Sequence, residues 1–144
     1  MEQARKAAAA EELSEQVTFE VQTAKTVPSH DYDLVCFFDC LHDMGDPAGA
    51  LRHVHDTMAP DGTCMLVEPF AHDRLEDNLN PVGRIYYAAS TMICTPASRD
   101  QEVGLALGAQ AGEGRLKKVA EEAGFASFRR ATETPFNLIL EARP

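Results

Sequence analysis

Four side chains able to do chemistry crowd into one short stretch: Asp39, Cys40, His42 and Asp43. Imidazole titrates near neutrality, so His42 suits proton transfer, and a neighbouring carboxylate suits orienting it. The apolar run Leu34-Val35-Cys36-Phe37-Phe38 precedes the cluster, and Gly45-Asp46-Pro47 follows it. A run apolar on both alternating faces is the pattern of a central parallel strand covered by helices on both sides. In open α/β sheets ligands bind in the crevice beyond the carboxyl ends of the strands. The sequence therefore places the chemistry at residues 38–46.

Other candidates are weaker. His53 and His55 are two apart on a helical stretch and point to different sides, and no C-x-x-C pair exists, so no metal site is expected. Cys36, Cys40, Cys64 and Cys94 lie mostly in apolar segments and read as buried thiols of a reducing cytoplasm. Cys36 and Cys40 have no basic neighbour to activate them as nucleophiles.

The elements that must position His42 follow from periodicity. Residues 2–13 have a helical composition with a shallow alanine face. Val17, Phe19 and Val21 alternate with polar residues, which predicts a short strand at 17–21. The central strand spans 32–38. Asp46 as N-cap and Pro47 at the first helical position open a helix over 46–59. Pro60 and Asp61-Gly62 turn the chain into a strand at 63–68. Strands alternating with helices predict an α/β domain, with a right-handed crossover from 32–38 to 63–68.

Residues 70–112 interrupt the rhythm as an inserted segment. Asn80-Pro81 starts a helix with apolar positions Val82, Ile85, Tyr86, Ala89, Met92 and Ile93, and Thr95-Pro96 is expected to end it. An insertion at the ligand end of a sheet suits a lid or substrate wall. Tyr86, Tyr87 and Met92 have two readings, lining an aromatic or lipophilic pocket or filling core. A helix over 113–123 ends at Gly124, with Phe125 as the hydrophobic contact of a left-handed cap. Strands near 125–131 and 135–142 are too closely linked to be anything but an antiparallel hairpin.

Composition narrows the function. The chain has 144 residues, 44% of them hydrophobic, which suits a single globular domain. Its 23 acidic against 13 basic side chains give a formal charge of −10, which disfavours nucleic acid as a partner. No apolar stretch is long enough to span a membrane and no signal peptide is recognisable, so a cytoplasmic protein is expected.

Asp31-Tyr32-Asp33-Leu34-Val35, Leu41-His42-Asp43, Ala59-Pro60-Asp61-Gly62-Thr63, Leu66-Val67-Glu68-Pro69 and Ala123-Gly124-Phe125, in this order and spacing, resemble the C-terminal part of a class I S-adenosylmethionine-dependent methyltransferase. The resemblance implies a truncated Rossmann-like sheet, with parallel strands, a C-terminal antiparallel hairpin and helices on both faces. The family's opening strand with its Gly-rich turn, and the second strand ending in an acidic residue, have no counterpart here. The domain is thus expected to lack its first two strands, with helix 2–13 matching the helix after the second. Those strands would lie beside 32–38, so its edge is expected to be unpaired and to drive homo-oligomerisation.

The resemblance also implies roles. His42 matches the base that removes a proton from an acceptor hydroxyl, its alternative being a structural histidine; Asp43 and Asp46 would orient it or cap the helix. Phe38 and Asp39 match cofactor contacts. Thr23 and Ala24 match the Asp-Ala beside the adenine, with Thr23 lacking the carboxylate. Glu68 ends its strand facing the same crevice. The implied function is methyl transfer from S-adenosylmethionine to a small-molecule acceptor, impaired in this chain. The alternative is a non-catalytic methyltransferase-like fragment or oligomerisation module.

Overall fold

A computed structural model describes residues 1–144. Helix α1 (Glu2–Ala10) leads into an irregular stretch, followed by strand β1 (Tyr32–Phe38), helix α2 (Pro47–Thr57) and strand β2 (Met58–Pro69). Helix α3 (Pro81–Ala89) runs through a π turn (Ser90–Cys94) into α4 (Thr95–Arg99). Helix α5 (Gly112–Ala123) and the hairpin of β3 (Ser127–Glu133) and β4 (Asn137–Arg143) complete the chain. The sheet order is β1-β2-β4-β3. β1 and β2 are parallel, while β4 is antiparallel to both β2 and β3, so the hairpin folds back against the parallel pair. No helix is long and apolar enough to cross a membrane.

One face of the sheet is finished. Cys64, Leu66, Leu138, Leu140 and Ala142 point into a core closed by Leu51 and Val54 of α2 and Leu116, Val119, Ala120 and Ala123 of α5. Asp46 caps α2, its side chain accepting the Gly49 N–H at 2.8 Å. Gly124 ends α5 at φ +110°, a left-handed conformation that favours glycine, and the Phe125 N–H returns to the Ala120 carbonyl at 3.1 Å. The other face of β1 is open, with Leu34 57% and Phe38 66% exposed, and β1 forms an outer edge of the sheet.

Four local expectations are corrected. Residues 17–21 form no strand, and α1 stops at Ala10. No strand in the sheet pairs with 17–21, so alternation alone cannot hold it extended. The helix beginning at Pro81 does not stop at Thr95-Pro96. Pro96 lacks the N–H for an i→i−4 bond, but the π turn just before it has already broken that ladder, and helical backbone resumes. The turn expected at Pro60-Gly62 lies within β2, where the pairing jumps from Tyr32↔Met58 to Leu34↔Thr63 and residues 59–62 loop out.

Candidate active site

The end of β1 turns sharply. Asp39 has φ +54°, a conformation Asp tolerates better than most residues, and its N–H donates to the Val67 carbonyl at 2.7 Å. The chain then enters a single 3-10 turn, Leu41–Asp43, which buries Leu41 and His42. Below it lies Glu68 near the end of β2, 1% exposed. The Leu41 N–H donates to Glu68 Oε1 at 2.9 Å, and His42 Nδ1 lies 2.6 Å from Glu68 Oε2. An ionised carboxylate only accepts, so Nδ1 carries the hydrogen and Nε2 keeps its lone pair. Burial disfavours charge on His42. The hydrogen bond and charge of Glu68, aided by Asp43 and Asp39, outweigh it and hold the imidazole pKa above its ordinary value.

The segment before α5 clasps this turn from above. Ser98 Oγ donates to the Met44 carbonyl at 2.7 Å and Gln101 Nε2 to the Asp43 carbonyl at 3.0 Å. The Gly45 N–H donates to Gln101 Oε1 at 2.9 Å, and the Leu105 N–H to the Gly45 carbonyl at 2.9 Å. Loop backbone is thereby satisfied without regular structure, which holds His42 in a fixed position.

The residues singled out from sequence separate into groups. Asp43 lies beside His42, with Oδ1 3.4 Å from Nε2. Phe38 and Asp39 are exposed at the mouth. The Tyr86 hydroxyl donates to the Phe136 carbonyl at 2.7 Å, and burial with the Asp39 charge pushes its pKa up. Tyr87 lines a separate depression with Leu75, Leu79 and Arg84. Met92 is 79% exposed, and Ile85 and Ile93 of the same stripe are exposed too, so this stripe is not core. Thr23 is exposed, its hydroxyl 2.9 Å from that of Thr26 within one turn, while Ala24 packs against the core. The role of Glu68 as the partner of His42 was not read from the sequence. Its signal is an acid at the end of an apolar strand, since glutamate is seldom fully buried unless paired.

Beside β1 runs a groove of about 340 Å³, lined by Ala24, Val27, Leu34, Val35, Cys36 and Val54 among others. Of its two hydroxyl side chains, Tyr32 and Thr57, the Thr57 hydroxyl donates to the Val54 carbonyl within its own helix at 3.0 Å. The groove is thus mostly apolar and holds no charged side chain to pair with an amino-acid carboxylate. A larger hollow of about 580 Å³ lies at the opposite end of β1, between Thr18 and Tyr32, away from His42.

Residues 3–109 match the family described as methyltransferase domain. No curated protein sequence matches the chain. Among solved structures, an O-methyltransferase family protein from Burkholderia thailandensis superposes at TM-score 0.68 with 18% identity, covering 99% of this chain and 40% of that one. The mitomycin 7-O-methyltransferase MmcR gives TM-score 0.66 and 19% identity over 99% of this chain and 39% of its own. Human N-acetylserotonin methyltransferase, in complex with SAM, gives TM-score 0.63 and 20% identity over 90% and 34%. The chain therefore shares their fold and spans roughly two fifths or less of their length.

Proposed function

The chain belongs to the methyltransferase domain family, and from that premise we propose that it carries the acceptor-side half of an S-adenosylmethionine-dependent site that methylates a hydroxyl on a small molecule. The observation that carries this reading is the buried Glu68–His42 pair at the carboxyl end of β1 and β2. Glu68 holds the Nδ1 proton and leaves Nε2 of the neutral ring, on the Asp43 side, to take the proton of the acceptor hydroxyl. The imidazolium that forms is stabilised by the same carboxylate. Asp43 would orient the acceptor or His42, and the 70–112 segment, with Met92 and the Tyr86 ring, would supply the acceptor wall, Tyr87 lying in its separate depression.

Bound S-adenosylmethionine supplies an electrophilic methyl group. On this reading Phe38, Asp39, Ala24 and Thr23 would meet the cofactor, through an apolar wall and backbone more than through charged side chains. Holding the two reactants in line accounts for most of the expected rate gain. The four free thiols support a reducing, cytoplasmic setting. The unpaired edge of β1 supports self-association, which light scattering at high concentration tests directly.

A second reading is favoured by one observation: the groove beside β1 is mostly apolar and has no charged side chain to anchor the cofactor's carboxylate. On that reading the isolated chain keeps the fold without activity. Calorimetric titration with S-adenosylmethionine and S-adenosylhomocysteine separates the two. Micromolar binding supports the enzyme reading, and His42→Ala should then abolish most turnover on a phenolic acceptor while sparing cofactor affinity. No binding supports the second reading, and full turnover in His42→Ala removes the base assignment.

A further inference from the structure

The π turn in the α3–α4 helix brings a third functional side chain to His42. Cys94, its last residue, stands with His42 and Asp43 so that one donor atom of each lies within 4.8 Å of the others. We propose that His42 Nε2, Asp43 Oδ1 and Cys94 Sγ form a binding site for a thiophilic divalent cation of the zinc class. The sequence hid this set because Cys94 lies far along the chain and shares no ligand spacing with His42.

Three features fit a cation independently of the methyl-transfer reading. The donor types, imidazole, carboxylate and cysteine sulfur, are those of tetrahedral zinc; burial and the neighbouring Asp43 push the free Cys94 thiol up to about 11, so an ion must displace its proton on binding. Zinc bonds of about 2.0–2.3 Å place tetrahedral donors roughly 3.3–3.8 Å apart, and the 3.4 Å between Nε2 and Oδ1 already lies in that range. Asp43 Oδ1 is buried with no hydrogen-bond partner, an acceptor in need of a positive charge. Around the site, Glu68 takes the Nδ1 proton of His42, the arrangement that fixes a metal-binding imidazole with Nε2 facing the ion. The Asp43 side chain is 43% exposed, which leaves an entry path, and three protein ligands leave a fourth position open. A cation bound here occupies the lone pair that proton transfer needs. If the proposed methyl transfer holds, metal and acceptor exclude one another.

The test uses the whole chain, freed of metal, titrated with Zn²⁺ by calorimetry and with Cd²⁺ by its thiolate charge-transfer absorption. One ion per chain is expected, with a cadmium–thiolate band. Cys94→Ala should remove the band and weaken Zn²⁺ binding by more than about tenfold, and Asp43→Asn should weaken it comparably. Cys40→Ala should bind as the unaltered chain does. Absence of binding overturns the proposal, as does binding of full strength in Cys94→Ala or a band lost only in Cys40→Ala. None of these readouts depends on turnover, so failure of the methyl-transfer reading leaves them intact.

Discussion

Two ends of β1 behave differently. At its carboxyl end the polar groups of the turn are partnered, Asp43 Oδ1 excepted: Glu68 is bound by Leu41 and His42, and the 42–45 backbone is clasped from 98–108. Along its flank the same strand is unfinished. Phe37, facing the helices, is 6% exposed, whereas its neighbour Phe38 is 66% exposed, with Leu34 on the same open side. Both faces carry large apolar side chains, Val35 and Phe37 on one and Leu34 and Phe38 on the other. Hydrophobic alternation tells that a position is suited to cover, and closed hydrogen bonding tells where cover has been achieved.

The largest effect is expected where cover is complete: Leu66→Ala on the helix-covered face of β2 should cost about 2–5 kcal/mol by leaving a cavity among fully buried leucines. Next in size, and the sharpest way to break this contrast, is to remove the acid that closes the finished end. Glu68→Ala leaves the Leu41 N–H and the His42 Nδ1–H buried without an acceptor, and should lower stability by about 1–3 kcal/mol in urea unfolding. Glu68→Gln keeps an acceptor and should lose less. A loss under about 1 kcal/mol for the alanine variant would mean that the turn is held by its packing alone.

Much of this was legible in the sequence, because it rests on local rules. Asp46-Pro47 announces the start of α2, Gly124-Phe125 the end of α5, and the short link between β3 and β4 forces their hairpin. His42 and Asp43 were found together because they are neighbours in the chain. What was hidden depends on long-range contact. Glu68 reaches His42 across 26 positions, and Cys94 reaches it by way of a π turn that no composition rule announces. The strand expected at 17–21 failed for the converse reason, since alternation predicts a strand only where a partner strand exists.

A smaller effect, of known sign, tests the link between the irregular N-terminal stretch and the finished end. Lys25 Nζ lies 2.5 Å from Asp46 Oδ2. The hydrogen bond from Lys25, then that from the Gly49 N–H, holds the Asp46 carboxyl below its usual range. A lowered folded-state pKa contributes stability that is complete above the unfolded value near 3.8 and is lost as pH falls through the folded value. Asp46→Ala should therefore cost about 1 kcal/mol at neutral pH, chiefly as a lost helix cap. Asp46→Asn, which still caps, should differ from the unaltered chain above about pH 4, and the difference should fade as pH falls through the lowered folded value. A gap between those two that persists in acid would place the effect in the cap and not in the charge.

The smallest expected effect bears on the open flank itself. Leu34 is more than half exposed in the single chain, so Leu34→Ser should change stability by no more than about 0.5 kcal/mol. The same measurement made at rising protein concentration is more telling. Binding to a partner adds stability that grows with the logarithm of concentration, and a change made inside that interface removes the growth. If the β1 edge is capped by a second copy, the unaltered chain gains stability on concentration and Leu34→Ser does not. If both curves are flat and coincide, no second copy covers the flank, and the contrast between the two ends of β1 is a property of the free chain in solution.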